Sequence, residues 1–340
     1  MTEVGVLFDE RFQAHAAPYE HPESPARLAA IEARLRATGL LSRCRRVPAR
    51  RAADEEILAV HDASLVELVE STAAHPFSQL DADTYANSHS AVAARGAAGG
   101  LVDLTLDVLA GRLAGGLALL RPPGHHAERA RAMGFCLYNS VAIAAAAALA
   151  GGASRILIVD WDLHHGNGTQ DIFWNEPAVV YFSTHQSPLY PGTGAVDETG
   201  GPDAPGQIVN VPWPPGRGDA DHLAAFDRVL LPIARSFSPD LVLVSAGFDA
   251  ARGDLLGSQL VSPGGYGAMT ARLLELAGGK LVLALEGGYE LEAISASAEA
   301  CLRVLLGDAV PAPESGPPSP AATRVLDAVT AQHRPFWPGL

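Results

Sequence analysis

Two histidines stand side by side in RPPGHHAERARAMGFCLYNS, residues 121–140. Adjacent imidazoles on a Pro- and Gly-rich loop can bind a metal, move protons or cap a turn. Imidazole titrates near working pH, so His125 and His126 are candidates for a general acid and base. A second group lies in ILIVDWDLHHGNG, where Asp160, Asp162 and His164 alternate. Side chains two apart on a regular strand share a face, so all three can point the same way if the strand continues. Asp162 and His164, with a carboxylate from Asp249 in LVLVSAGFDA, would make three protein ligands and leave one position open. That is the arrangement of a catalytic metal. Two carboxylates and one imidazole suit Zn²⁺, Fe²⁺ or Co²⁺ alike. Asp160 can instead orient a histidine from behind. Tyr289, in LEGGYE, offers a phenolic donor to a developing oxyanion. Each of these residues also has a structural reading, since aspartates cap turns at strand ends and a tyrosine after Gly-Gly can open a helix.

These residues need a frame that brings them together. Seven runs read as strands: 4–9, 117–121, 156–162, 179–184, 207–213, 241–249 and 281–288. Most are continuously apolar, as strands buried on both faces of a parallel sheet are. Helical patterns separate them at 25–38, 64–73, 88–112, 138–150, 219–236, 262–277 and 290–306. Alternating strands and helices predict an α/β fold with a mostly parallel central sheet. Ligands of such sheets sit beyond the carboxyl ends of the strands. Four of the predicted strand ends carry ionisable residues: PPGHH, DWDLH, GFD and EGGYE. Their convergence on one edge weighs more than any one motif.

Composition bounds the function classes. With 340 residues and 48% hydrophobic content the chain can bury a large core. Only 18% of residues are charged, against 34 glycines and 25 prolines, which fits a compact enzyme with many loops and not a long disordered chain. The net charge of -14 disfavours nucleic acid and anionic membranes as partners. Cys44, Cys136 and Cys301 have no paired spacing, hence no disulfide framework and no CxxC zinc site. The N-terminal MTEVGVLFDE lacks a secretory pattern, and the Ala-rich run 141–153 reads as a packed helix, so the expected location is the cytoplasm. The Pro-rich stretch 308–320 reads as a linker to a last helix over 321–333 that packs on the same body. The chain is therefore expected to form one domain over 1–340.

RPPGHHA, GFCLYN, VDWDLHHGNGTQDIF, PGTG, SAGFDA and LEGGYE occur in an order that resembles the histone deacetylase, acetylpolyamine amidohydrolase and acetoin-utilisation family. YEHPESPARLAAI and LDADTY extend the resemblance toward the N-terminus, and the HHGNG, SAGFDA and LEGGY forms look like the class II branch and its bacterial relatives. The resemblance implies the arginase/deacetylase-like three-layer fold, with a central sheet of about eight strands. It implies a Zn²⁺-dependent hydrolase that removes acetyl or other acyl groups from lysine side chains or similar amines with a metal-activated water. The metal would be held by Asp162, His164 and Asp249. His125, paired with Asp160, and His126, facing Asn167, would be the histidine pair beside the water. Tyr289 would polarise the acyl carbonyl. Gly134, Phe135, Tyr190 and Leu256 would line an acyl-lysine tunnel, with Tyr190 where many relatives carry Phe. A structural potassium would sit among Asp160, Asp162, His164, Ser183 and Thr184.

Other readings are set beside this one. An acetylpolyamine or other small N-acetyl amine is the alternative substrate, but Leu256 stands where polyamine-selective relatives place an acidic residue. A two-metal ureohydrolase would carry more carboxylates in the metal loop. A catalytically inactive acyl-lysine binder would lack a ligand or the tyrosine. Expected partners are an acylated lysine peptide or a small acylated amine, with neither nucleic acid nor membrane. Self-association is compatible with the sequence and not required by it.

Overall fold

The computed structural model describes residues 3–340. Its strands are β1 (Val4–Leu7), β2 (Arg45–Val47), β3 (Ser78–Gln79), β4 (Tyr85–Ala86), β5 (Gly115–Ala118), β6 (Ile156–Asp160), β7 (Val179–Gln186), β8 (Ile208–Trp213), β9 (Leu241–Ala246) and β10 (Leu281–Leu285). Eight of them form one sheet in the order β2-β1-β5-β10-β9-β6-β7-β8, while β3 and β4 make a small antiparallel ribbon. Every pairing in the large sheet is parallel. Residues of β6, β7, β9 and β10 are buried along their whole length, as the continuous apolar runs require when helices cover both faces. Each fully buried Val, Leu or Ile in these strands contributes roughly 1.5–3 kcal/mol through water exclusion. This is the expected arginase/deacetylase-like α/β fold.

The strand of the large sheet missed from sequence is β2, and the short ribbon β3–β4 is missed with it. In β2, Arg45 and Arg46 are exposed at the sheet edge, and only Val47 is buried. An edge strand of three residues with two charges carries no apolar run. Other boundaries differ more instructively. The 156–162 run stops being a strand at Asp160, so strand alternation does not place Asp162 and His164. Local turns do: the Asp162 N–H donates to Asp160 Oδ1 at 3.1 Å, and the His164 N–H donates to Asp162 Oδ1 at 2.8 Å. Aspartate side chains that hold the N–H two residues on build this kind of turn. The run at 117–121 begins earlier, at Gly115, and leaves the sheet after Ala118.

Helices Ser90–Leu109 and Ser140–Ala150 pack on each other, and Pro25–Ala37 and Pro263–Leu274 both pack on Leu291–Leu305. The predicted last helix spans Pro320–His333 and lies against β8. Among the described residues, no helix is long and apolar enough to cross a membrane. Four neighbouring strands, β5-β10-β9-β6, occupy the middle of the sheet, and their carboxyl ends carry the candidate site.

Candidate active site

Asp162, His164 and Asp249 come together beyond β6 and β9, with ligand atoms all within 4.8 Å of one another. His164 Nδ1 lies 3.1 Å from Asp249 Oδ2 and 3.3 Å from Asp162 Oδ1. The remaining carboxylate oxygens are anchored: Gly287 N–H donates to Asp162 Oδ2 at 2.8 Å, and Leu163 N–H donates to Asp249 Oδ1 at 2.8 Å. Gly287 must be glycine, because a Cβ there would collide with both carboxylates. Among the described residues neither buried carboxylate is paired with Lys or Arg. Burial and the neighbouring Asp162 raise the Asp249 carboxyl to about 7. Burial lowers His164, but Asp162 and Asp249 outweigh it and hold the imidazole at about 10. Two buried carboxylates crowded around one imidazole thus draw in a positive charge. A divalent cation satisfies that demand, and the donor set fits it.

The histidine pair lies beside this cluster, with rings 4.0 Å apart. His125 Nδ1 is 3.0 Å from Asp160 Oδ2, which also accepts from the Tyr181 hydroxyl at 3.0 Å. Burial lowers His125, but Asp162 and Asp160 overcome it and raise its pKa to about 10. His126 Nδ1 is 2.8 Å from Asn167 Oδ1. The other end of that amide, Asn167 Nδ2, donates to Glu128 at 2.7 Å. The amide orientation is therefore set, His126 Nδ1 must be the donor, and Nε2 is left as the free acceptor. Burial, His125 and His164 hold the His126 pKa well below 6.5.

Above these groups is a cavity of about 220 Å³ lined by Asp83, His125, His126, Gly134, Phe135, His164, Tyr190, Leu256, Gly287 and Tyr289, among others. All four predicted tunnel residues are there. Phe135 meets Tyr289 edge-on at 6.1 Å, and Tyr190 meets His126 edge-on at 5.2 Å. Gly134 and Phe135 both adopt positive φ, at 56° and 68°, which swings the Phe135 ring into the wall. A Cβ at Gly134 would strike the His126 ring. The Gly134 carbonyl accepts the Cys136 thiol at 3.3 Å.

Several residues that the motifs left aside hold this arrangement in place. Glu286, buried at the end of β10, accepts the N–H groups of Gly124 at 2.6 Å and His125 at 3.2 Å. Asp254 accepts the N–H of Tyr289 at 2.6 Å, of Glu290 at 3.1 Å and of Leu256 at 3.0 Å, so one carboxylate ties the tyrosine to the Leu256 wall. Arg27 Nε donates to the Gly288 carbonyl at 2.6 Å, and its guanidinium lies 5.0 Å from the Tyr289 ring centre. Arg27 in turn pairs with buried Glu23. The sequence signal for these was the placement of Glu286 and Asp254 inside strand-end loops and of Arg27 and Glu23 in HPESPAR. Asp160 and Ser183 are register partners across β6 and β7. The Ser183 hydroxyl bonds His185 at 2.9 Å, and the buried Thr184 hydroxyl has no partner among the described residues.

Residues 21–305 match the family model for the histone deacetylase domain. The chain is 50% identical to histone deacetylase 15 of Arabidopsis thaliana over 98% of its length and 63% of that protein's. It is 44% identical to histone deacetylase 5 of Arabidopsis thaliana, over 99% of this chain and 54% of the relative. With histone deacetylase 7 of Homo sapiens the identity is 43% over 98% of this chain and 39% of the relative. It thus spans less than two thirds of these curated relatives. The crystal structure of the HDA15 HD domain superposes with a TM-score of 0.96 at 48% identity, covering 99% of this chain and 97% of that one. By sequence and by fold, the chain belongs to the histone deacetylase domain family.

Proposed function

We propose that this chain is a metal-dependent deacylase that hydrolyses the side-chain amide of N-acylated lysine. The observation that carries the reading is the single cavity in which an aromatic-walled passage ends on two histidines, a tyrosine and the Asp162–His164–Asp249 cluster. The walls suit the methylene chain of a lysine, and the floor suits an amide. Membership in a family whose relatives are histone deacetylases supports the same substrate class. Leu256 in the wall offers no charge to a distant ammonium, which favours acyl-lysine over an acetylpolyamine.

Asp162, His164 and Asp249 would hold the metal, with Zn²⁺ first and Fe²⁺ or Co²⁺ compatible with the same donors. Such an ion supplies Lewis acidity toward a carbonyl and lowers the pKa of water. The protein groups do the rest. His126 Nε2, kept neutral beside an uncharged amide, accepts the proton of the attacking water. The water oxygen bonds to the acyl carbon while the Tyr289 hydroxyl donates to the acyl oxygen as negative charge develops. Asp160 keeps His125 the more basic of the pair. A protonated imidazole then delivers a proton to the nitrogen as the C–N bond breaks, so a neutral amine leaves with a carboxylic acid as co-product. A potassium ion near Asp160, Asp162, His164, Ser183 and Thr184 would brace the loop, and the unpartnered Thr184 hydroxyl supports an unfilled polar demand there.

The test is a metal-replete panel of acetyl-lysine peptides, longer acyl-lysine peptides and acetylpolyamines assayed side by side, with and without a chelator. Chelator-sensitive turnover of the lysine peptides is expected. Turnover confined to polyamines would move the substrate class, and no turnover of any would refute the deacylase reading.

A further inference from the structure

The mouth of the cavity carries a hydroxyl for which the reaction above has no use. Tyr190 is 38% exposed, yet its ring lies edge-on to His126 at 5.2 Å and to His164 at 6.3 Å. The residue therefore runs from the floor of the passage to solvent. Its ring alone would serve as wall, as the Phe135 ring does opposite. The two phenols are placed differently: Tyr289 is buried and lies against Arg27, whereas Tyr190 lines the cavity beside Asp83 and reaches solvent. A phenol keeps its proton at neutral pH and can donate.

The rim carboxylates cannot offer a donor. Asp83 lines the cavity and accepts the Gly134 N–H at 3.2 Å, and Asp81 pairs with Arg131 at 2.7 Å. A peptide lying across the mouth presents N–H groups, which carboxylates accept, and carbonyls, which need a donor. A small acylated amine presents no such carbonyl at that height.

We propose that the Tyr190 hydroxyl donates a hydrogen bond to a main-chain carbonyl flanking the acyl-lysine, making the site selective for acyl-amines embedded in a peptide. The assignment rests on the deacylase reading above. It is tested with the full chain, wild type and Tyr190→Phe, on two probes: a peptide with a central acetyl-lysine, and N-butylacetamide, which carries the same amide and no peptide bond. Phenylalanine keeps the wall and removes only the oxygen. The ratio of kcat/KM for the peptide to that for N-butylacetamide is expected to fall about tenfold, the factor that one neutral hydrogen bond contributes, with the change mainly in KM. The calorimetric Kd of the peptide should rise by a similar factor. A ratio unchanged within about twofold, with unchanged peptide Kd, would overturn the proposal and leave Tyr190 as wall alone. Failure of the wild type to act on either probe would overturn the deacylase reading, and the assignment with it.

Discussion

Glu23→Gln should destabilise the protein by about 4 kcal/mol at pH 7. Glu23 is fully buried between Arg27 and Arg121, which are equally buried. Its Oε1 accepts Arg27 at 3.1 Å, and Arg121 reaches both oxygens, the Nη2–Oε2 contact being 2.8 Å. Glutamine keeps the shape and removes the carboxylate these two guanidiniums share. Breaking a buried ion pair from one side costs about 3–5 kcal/mol, because the partner stays buried and unpaired. Two cations depend on Glu23, which pushes toward the top of that range. Both also donate to carbonyls, Arg121 to Phe12 at 2.9 Å and His15 at 2.8 Å, and Arg27 to Gly288 at 2.6 Å, which pulls back toward the middle. For a chain of this size the melting temperature should drop by about 8 °C, at roughly 2 °C per kcal/mol. The pH dependence is a second readout. Burial pushes the Glu23 carboxyl up, but Arg121 and His15 outweigh it and hold its pKa well below 4.5. A carboxylate with a depressed folded pKa contributes stability that is complete above its unfolded value and lost as pH falls toward the folded one. The wild type should therefore approach the variant on acidification below about 4.5. Thermal and urea melts by circular dichroism, repeated between pH 7 and 3.5, check both. A gap under about 1 kcal/mol at pH 7, or one that stays constant with pH, would refute the ion-network argument. Since Arg27 also braces Gly288 and the Tyr289 ring, the folded variant should lose turnover too.

Four further outcomes follow from the site. Tyr289→Phe should lower kcat by about a hundredfold or more with metal content unchanged, as loss of an oxyanion donor does; steady-state kinetics with metal analysis decides it. Asp254→Asn turns a three-fold acceptor into a group with one acceptor oxygen, so Tyr289 should shift and kcat fall by about ten- to a hundredfold while metal content holds. Asp249→Ala should abolish stoichiometric Zn²⁺ or Co²⁺ binding, measured by elemental analysis and calorimetry, because one of the three donors is gone. Stability should fall as pH drops from about 6.5 toward 4, since burial holds His61, His222 and His333 each at about 4. At His61 the cause is legible: Nε2 accepts the Asn139 N–H at 2.9 Å, and a proton there would break that bond; His61→Gln should flatten this part of the pH profile.

The chemistry was more legible in the sequence than its mounting. Asp162, His164, Asp249, His125, His126 and Tyr289 were nominated by residue type at strand ends, and they lie at one edge of the sheet because β5, β10, β9 and β6 are neighbours. That adjacency cannot be read from chain order, which places β6, β7 and β8 between β5 and β9. Strand periodicity also suggested a common face for Asp160, Asp162 and His164, whereas Asp160 turns to His125, and His164 lies against both Asp162 and Asp249. The difference arises because the Asp160 and Asp162 side chains capture backbone N–H groups and end the strand early. Glu286, Asp254, Glu23 and Arg27 left only the weak signal of their place in strand-end loops and in HPESPAR, because their role is to satisfy buried backbone and guanidinium groups. That role has no spacing rule, only a tertiary one.

The adjacency of β6 and β9 also sets a timetable for biosynthesis. His164 and Asp249 meet across a separation of 85 residues. At about 5–20 residues per second, ribosomes take roughly 4–17 s to make that interval. During it Asp162 and His164 exist without their third partner, and an ion cannot be retained with full affinity. Tyr289 and the Asp254 anchor arrive later still. On the metal-dependent reading proposed above, full-affinity capture of an ion would wait for the docking of β9, so that a nascent chain released before residue 249 would lack the third ligand.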